Sequence, residues 1–132
     1  MSWPALFGVF LLSHLFGDFM LQTDWQASNK HHTDGPAAAE HRRALASHAA
    51  VYTFSFLPAL AWVASESSVL GAVGVAALIG VPHAIVDDGR LVQWWIRHVK
   101  HVEGVPSTVV RLGVDQSSHV LALAAVAYLV TG

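Results

Sequence analysis

The sequence predicts an all-α membrane protein: four transmembrane helices in one bundle, plus a short interfacial helix. Three observations lead there. Hydrophobic residues make up 54% of the chain and charged residues 12%, about half the charged share of a soluble domain. The apolar residues fall in blocks about 20 residues long, the length that crosses ~30 Å of hydrocarbon at ~1.5 Å per residue. All seven Lys and Arg residues lie in, or at the edge of, two of the three connections between those blocks.

The whole chain, 1–132, reads as a single domain. The first span covers about 3–22 and opens on Trp3-Pro4, an interfacial aromatic before a proline suited to a first helical turn. No basic segment and no small-residue cleavage site accompany it, so it is a retained span rather than a signal peptide. A polar connection follows at 23–43, carrying Asp24, Lys30, His31, His32, Asp34, Glu40, His41, Arg42 and Arg43. The second span, 44–64, contains Pro58, which predicts a kink. A tight polar turn at 65–68 makes the next pair a hairpin. The third span, 68–87, holds Gly71, Gly74 and Gly80, which permit close helix approach and a homodimer. Residues 91–101 mix Trp94, Trp95 and Ile96 with Arg97, His98 and Lys100, the pattern of a helix lying at the membrane surface. Gly104 and Pro106 end it, and the fourth span runs 110–130. With the cationic connections in the cytoplasm, both termini face outward.

Composition also excludes some chemistry. Zero cysteines remove disulfides, thiolate metal sites and a cysteine nucleophile. A net charge of −2 without a basic run offers nothing to nucleic acid.

The ionisable residues inside the spans form a pattern. His14 and Asp18, His83 and Asp87, and Asp115 and His119 are i, i+4 pairs, so each helix points an imidazole and a carboxylate the same way. His48, with Tyr52 one turn on, adds a fourth helix. All lie within about 12 Å of the cytoplasmic ends, counting ~1.5 Å per residue. Asp87 is one turn from His83, whereas Asp88 is rotated about 100° away. Paired ligands on facing helices are how bundles hold metals. The expected ligands are His14, Asp18, His48, His83, Asp87, Asp115 and His119, with Gln22, Tyr52 and Gln116 hydrogen-bonding behind them. Imidazole with carboxylate suits Zn²⁺ foremost, and also Fe²⁺ or Mn²⁺. Three carboxylates in a poorly solvated slab call for two divalent ions bridged by one of them. Asp18, Asp87 and Asp115 are the candidate catalytic carboxylates, and Lys30 and Arg90 are placed to steer an anionic group. His31, His32, His41, His98 and His101 read as solvated loop residues, and Asp24 as a surface one.

The string His14-x-x-x-Asp18-Phe-x-Leu-Gln22-Thr, Lys30, His48-x-x-x-Tyr52, His83-x-x-x-Asp87 and Asp115-Gln116-x-x-His119 resembles the small bacterial membrane proteins of domain-of-unknown-function family 3307. The likeness spans nearly the whole chain. It implies a multi-pass protein of the bacterial inner membrane and supports the site, without implying a reaction. The sequence departs from the implied pattern at Asp88-Gly89-Arg90, where an aromatic and a lysine are expected. The functional expectation is a metal-dependent hydrolase acting on a lipid or lipid-linked substrate at the cytoplasmic leaflet. The competing expectations are a divalent-metal or proton carrier, which needs a polar path to the outer face, and a haem-binding protein. Haem would leave the aspartates one turn from three of the histidines unexplained.

Overall fold

The computed structural model describes all 132 residues, and every regular element in it is helical. Seven α-helices follow one another: α1 Trp3–Leu15, α2 Asp24–Asn29, α3 Ala38–Ser55, α4 Leu57–Glu66, α5 Val69–Asp87, α6 Arg90–His98 and α7 Thr108–Thr131. The first continues directly into a π-helical turn, Phe16–Leu21. α1 with this extension, α5 and α7 are each long and apolar enough to cross a membrane. α3 and α4 make a fourth crossing if they are counted as one bent span.

The bend has a local cause. α3, with the 3₁₀ turn before it, meets α4 at 53°. The break falls at Phe56 rather than at Pro58, because Pro58 sits in the first turn of α4, where a missing N–H costs nothing. Other ends are set by side chains. Thr23 and Gln26 form a reciprocal capping box on α2. Ser68 accepts from Gly71 N–H at the start of α5, and Ser107 from Val110 N–H at the start of α7. Gly89 turns the chain between α5 and α6 with φ +84°, a left-handed conformation that a Cβ would strain.

The π turn is supported from α3. Ser55 Oγ lies 2.9 Å from Ser13 O and 2.6 Å from Tyr52 O, its one proton shared between the two carbonyls. Gly17 makes this approach possible: a Cβ there would stand 2.8 Å from Ser55 Oγ and 2.9 Å from Tyr52 Cδ2.

Two apolar clusters bracket a polar layer. The larger, at the end that carries both termini, centres on Leu6, Phe10, Phe56, Val63, Ile79 and Leu123. Its rings interlock, with Phe10 to Phe56 at 5.8 Å and Tyr52 to Phe56 at 5.0 Å between centroids, each worth about 0.5–1.5 kcal/mol beyond area. The smaller cluster joins Val86, Val92, Ile96 and Val114. It pins α6 by one face while Trp94 and Trp95 stay exposed. At the opposite end the Met1 ammonium meets Glu66 at 3.2 Å, holding the N-terminus against the α4–α5 turn.

Candidate metal centre

Between the clusters, five helical segments point polar side chains at one another. The π turn supplies Asp18, the end of α2 supplies Lys30, α3 supplies His48 and Tyr52, α5 supplies His83 and Asp87, and α7 supplies Asp115, Gln116 and His119. His48 and Asp87 are completely buried, and Asp18, Lys30, His83 and His119 nearly so. Charged and imidazole groups in such a place must find partners.

Four of them converge. Asp18, His48, His83 and Asp87 each offer one ligand atom, all within 4.8 Å of one another. His48 Nε2 lies 3.2 Å from Asp18 Oδ1, 3.1 Å from His83 Nε2 and 2.9 Å from Asp87 Oδ2. His83 Nε2 lies 3.0 Å from the same Asp87 oxygen. A neutral ring nitrogen holds either one proton or one lone pair, so it cannot satisfy all these neighbours by hydrogen bonding. Asp87 Oδ2 makes the point directly. It is within 3.0 Å of His48, His83 and Lys30, yet none of these contacts has hydrogen-bond geometry. Atoms ~2.0–2.1 Å from a shared centre stand ~3.0 Å apart at right angles and ~3.4 Å apart at tetrahedral angles. The observed spacings fit that, so the group could hold a metal ion.

A second group, Asp87, Asp115 and His119, shares Asp87 with the first. Proton counting links the two. His83 Nδ1 and His119 Nδ1 are 3.3 Å apart, so one donates and the other accepts. A lone pair on His83 Nε2 requires His83 Nδ1–H to donate to His119. His119 Nε2–H then donates to Asp87 Oδ1 at 3.3 Å. The reverse tautomers free His119 Nε2 and put a proton on His83 Nε2. With neutral rings and the His83–His119 bond kept, only one of His83 Nε2 and His119 Nε2 has a lone pair to offer.

His14 stands apart from both groups. Its Nε2 faces Gln116 Oε1 at 3.0 Å and its Nδ1 faces the Tyr52 hydroxyl at 3.1 Å. Gln116 Oε1 only accepts, so His14 donates from Nε2 and accepts from Tyr52 at Nδ1, leaving no lone pair for an ion. The π turn begins between His14 and Asp18, whose nearest atoms, Nδ1 and Oδ2, are 3.7 Å apart. The residues expected behind the ligands are there. Tyr52 stacks flat on His83 with centroids 3.4 Å apart, Gln116 Nε2 donates to Asp115 and Asp18, and Gln22 Nε2 is 3.2 Å from His48.

Residues 6–132 match the family described as a protein of unknown function, DUF3307. The chain belongs to that family. No curated protein and no solved structure matches it.

Beside the centre of this DUF3307 chain is a cavity of about 330 Å³, with Asp18 and Asp115 on its polar side. Lys30, His31 and Arg111 add cationic and imidazole groups, and Phe19 and Leu112 form the apolar part of the wall. Burial, followed by the nearby Arg111 and Lys30 charges, lowers the His31 pKa. Arg90, expected to steer an anion, instead pairs with Asp88 and lines a different surface. Arg111 takes that place, and the sequence did carry a signal for it: Arg111 is one helical turn before Asp115. Lys30 is not on the rim alone but reaches Asp87 Oδ2 at 2.9 Å. His41, expected to be solvated, is buried.

Proposed function

We propose that this protein is an integral membrane metalloprotein that hydrolyses a phosphate-bearing lipid from the cytoplasmic leaflet. The observation that carries the reading is the convergence of Asp18, His48, His83 and Asp87 on a point that hydrogen bonding does not account for. Membrane residence is supported by the outward faces of the long helices, where Leu12, Met20, Leu70, Val73, Leu121 and Leu129 are all exposed. The positive charges gather at the opposite end from the Met1–Glu66 contact, which supports a cytoplasmic site with both termini outside.

One ion suits the centre better than two. The Lys30 ammonium stands among the carboxylates, so three aspartates and one lysine leave two negative charges, which one divalent ion cancels. The exclusive tautomers of His83 and His119 point the same way. Two imidazoles and two carboxylates favour Zn²⁺, with Fe²⁺ or Mn²⁺ also compatible.

When bound, the ion would lower the pKa of a water towards about 7 and polarise a phosphoryl oxygen. The protein side does the rest. Arg111 and Lys30 hold the anionic oxygens, and Phe19 and Leu112 accept the first methylenes of the lipid. Asp115, partly open to the cavity and fixed by Gln116, is positioned to accept a proton from water. Transport is the weaker reading, because the larger apolar cluster closes the path to the other face.

Elemental analysis of purified wild type and His83→Ala, together with phosphate release from phosphatidate-containing vesicles, tests this. The expected result is one ion fewer in His83→Ala and no phosphate release. Arg111→Gln should keep the ion and raise KM more than it lowers kcat. An unchanged metal count in His83→Ala overturns the centre. A metal-loaded wild type that releases no phosphate overturns the reaction.

A further inference from the structure

Outside the polar layer, the 23–43 connection folds back onto the end of α5. There His32, His41 and Asp88 each offer a ligand atom within 4.8 Å of the other two. His41 Nε2 is 3.2 Å and His32 Nδ1 is 3.7 Å from Asp88 Oδ1. These spacings bracket the ~3.4 Å expected between tetrahedral ligands ~2.0–2.1 Å from an ion.

The surroundings prepare those atoms for ligation. His32 Nε2 is 3.3 Å from Asp34 Oδ1. With its proton on Nε2, His32 presents the Nδ1 lone pair towards Asp88, the carboxylate–imidazole–metal order of many protein sites. Arg90 Nε donates to the other oxygen of Asp88, which fixes the carboxylate and leaves Oδ1 free. The independent observation is His41. It is 6% exposed, its Nδ1 has no hydrogen-bond partner, and its Nε2 faces the Asp88 oxygen. The site uses Nε2, the ring nitrogen that faces the carboxylate, and leaves the ring proton on Nδ1.

We propose that His32, His41 and Asp88 form a second, structural site for a divalent cation of the zinc class, distinct from the centre among the helices. Two imidazoles and one carboxylate match the donors zinc prefers. His32 is partly exposed, so the ion enters from water and water completes its coordination. The site clasps the connection to α5 one residue beyond Asp87. Since Lys30 is two residues before His32, the clasp also holds the lysine over the central carboxylate.

The test uses the full chain in detergent, loaded with Zn²⁺ alone, desalted and counted by elemental analysis. His32→Ala and Asp88→Asn should each carry one zinc fewer per chain than wild type. His32→Ala alters a partly exposed side chain, so gel filtration should show it folded as wild type. Adding His83→Ala to His32→Ala should remove a second, separate zinc. If His32→Ala and Asp88→Asn both keep the full wild-type count, this site is overturned, whatever His83→Ala does. A loss in His32→Ala that persists where His83→Ala loses nothing upholds this site and overturns only the central one.

Discussion

The two halves of the bundle are built on opposite principles. The half near the termini is held by Leu6, Phe10, Phe56, Ile79 and Leu123, with no carboxylate, imidazole or ammonium in its core. The other half puts three aspartates, three histidines and a lysine within reach of one another. In the first, each contact is weak, non-directional and replaceable at graded cost. In the second, each group depends on particular partners, and removing one strands the others. The comparison predicts that the two halves fail in different ways.

The largest effect should come from Asp87→Asn. The change keeps the size but removes the charge that faces Lys30, His48 and His83. Breaking a buried ion pair costs about 3–5 kcal/mol. Thermal unfolding in detergent should show that loss together with loss of the central ion. Asp87→Asn with wild-type stability and full metal content would erase the distinction between the halves.

Gly17→Ala should fall next, at about 1–3 kcal/mol, because the added methyl meets Ser55 and Tyr52 below 3 Å. Since Tyr52 stacks on His83, this variant sharpens the comparison: a purely steric change should also weaken metal binding, by at least tenfold in a chelator competition. Equal metal affinity in Gly17→Ala and wild type would mean that the stack does not orient His83.

The smallest effect belongs to the apolar half. Ile79→Val removes one methylene from a buried site and should cost about 0.5–1.5 kcal/mol, with metal content unchanged. A lost ion there would show that the apolar half tunes the centre as well as supporting it.

Much of the fold could be read from apolar block length, because a helix that must satisfy its own backbone has few alternatives. The i, i+4 pairs on α5 and α7 were equally readable: an unbroken α-helix keeps their register, and Asp87 rather than Asp88 faces the layer as that register requires. What escaped depends on tertiary contact. Lys30 reads as an anion-steering residue of a polar connection, and only the packing of α2 against α3 carries it on to Asp87. His41 is buried only because the connection folds back over α5. His14 stands near Asp18 as its spacing predicts, but Gln116 and Tyr52, carried in by other helices, take its two ring nitrogens.

The π turn Phe16–Leu21 eases a problem of angles. Leu6, Phe10, His14 and Asp18 are all buried, and each is four residues from the next. At ~100° per residue, four residues overshoot a full turn by ~40°, so a plain α-helix would swing the stripe ~120° from Leu6 to Asp18. A stripe with that period would otherwise force the helix to coil right-handedly around its neighbours. The wider turn takes up part of the excess in one place, which brings the two ends of the stripe nearer to the same side. In effect it is a vernier between two patterns of side chains. The Leu6–Phe10 end is set to the apolar core and the Asp18 end to the carboxylates and imidazoles.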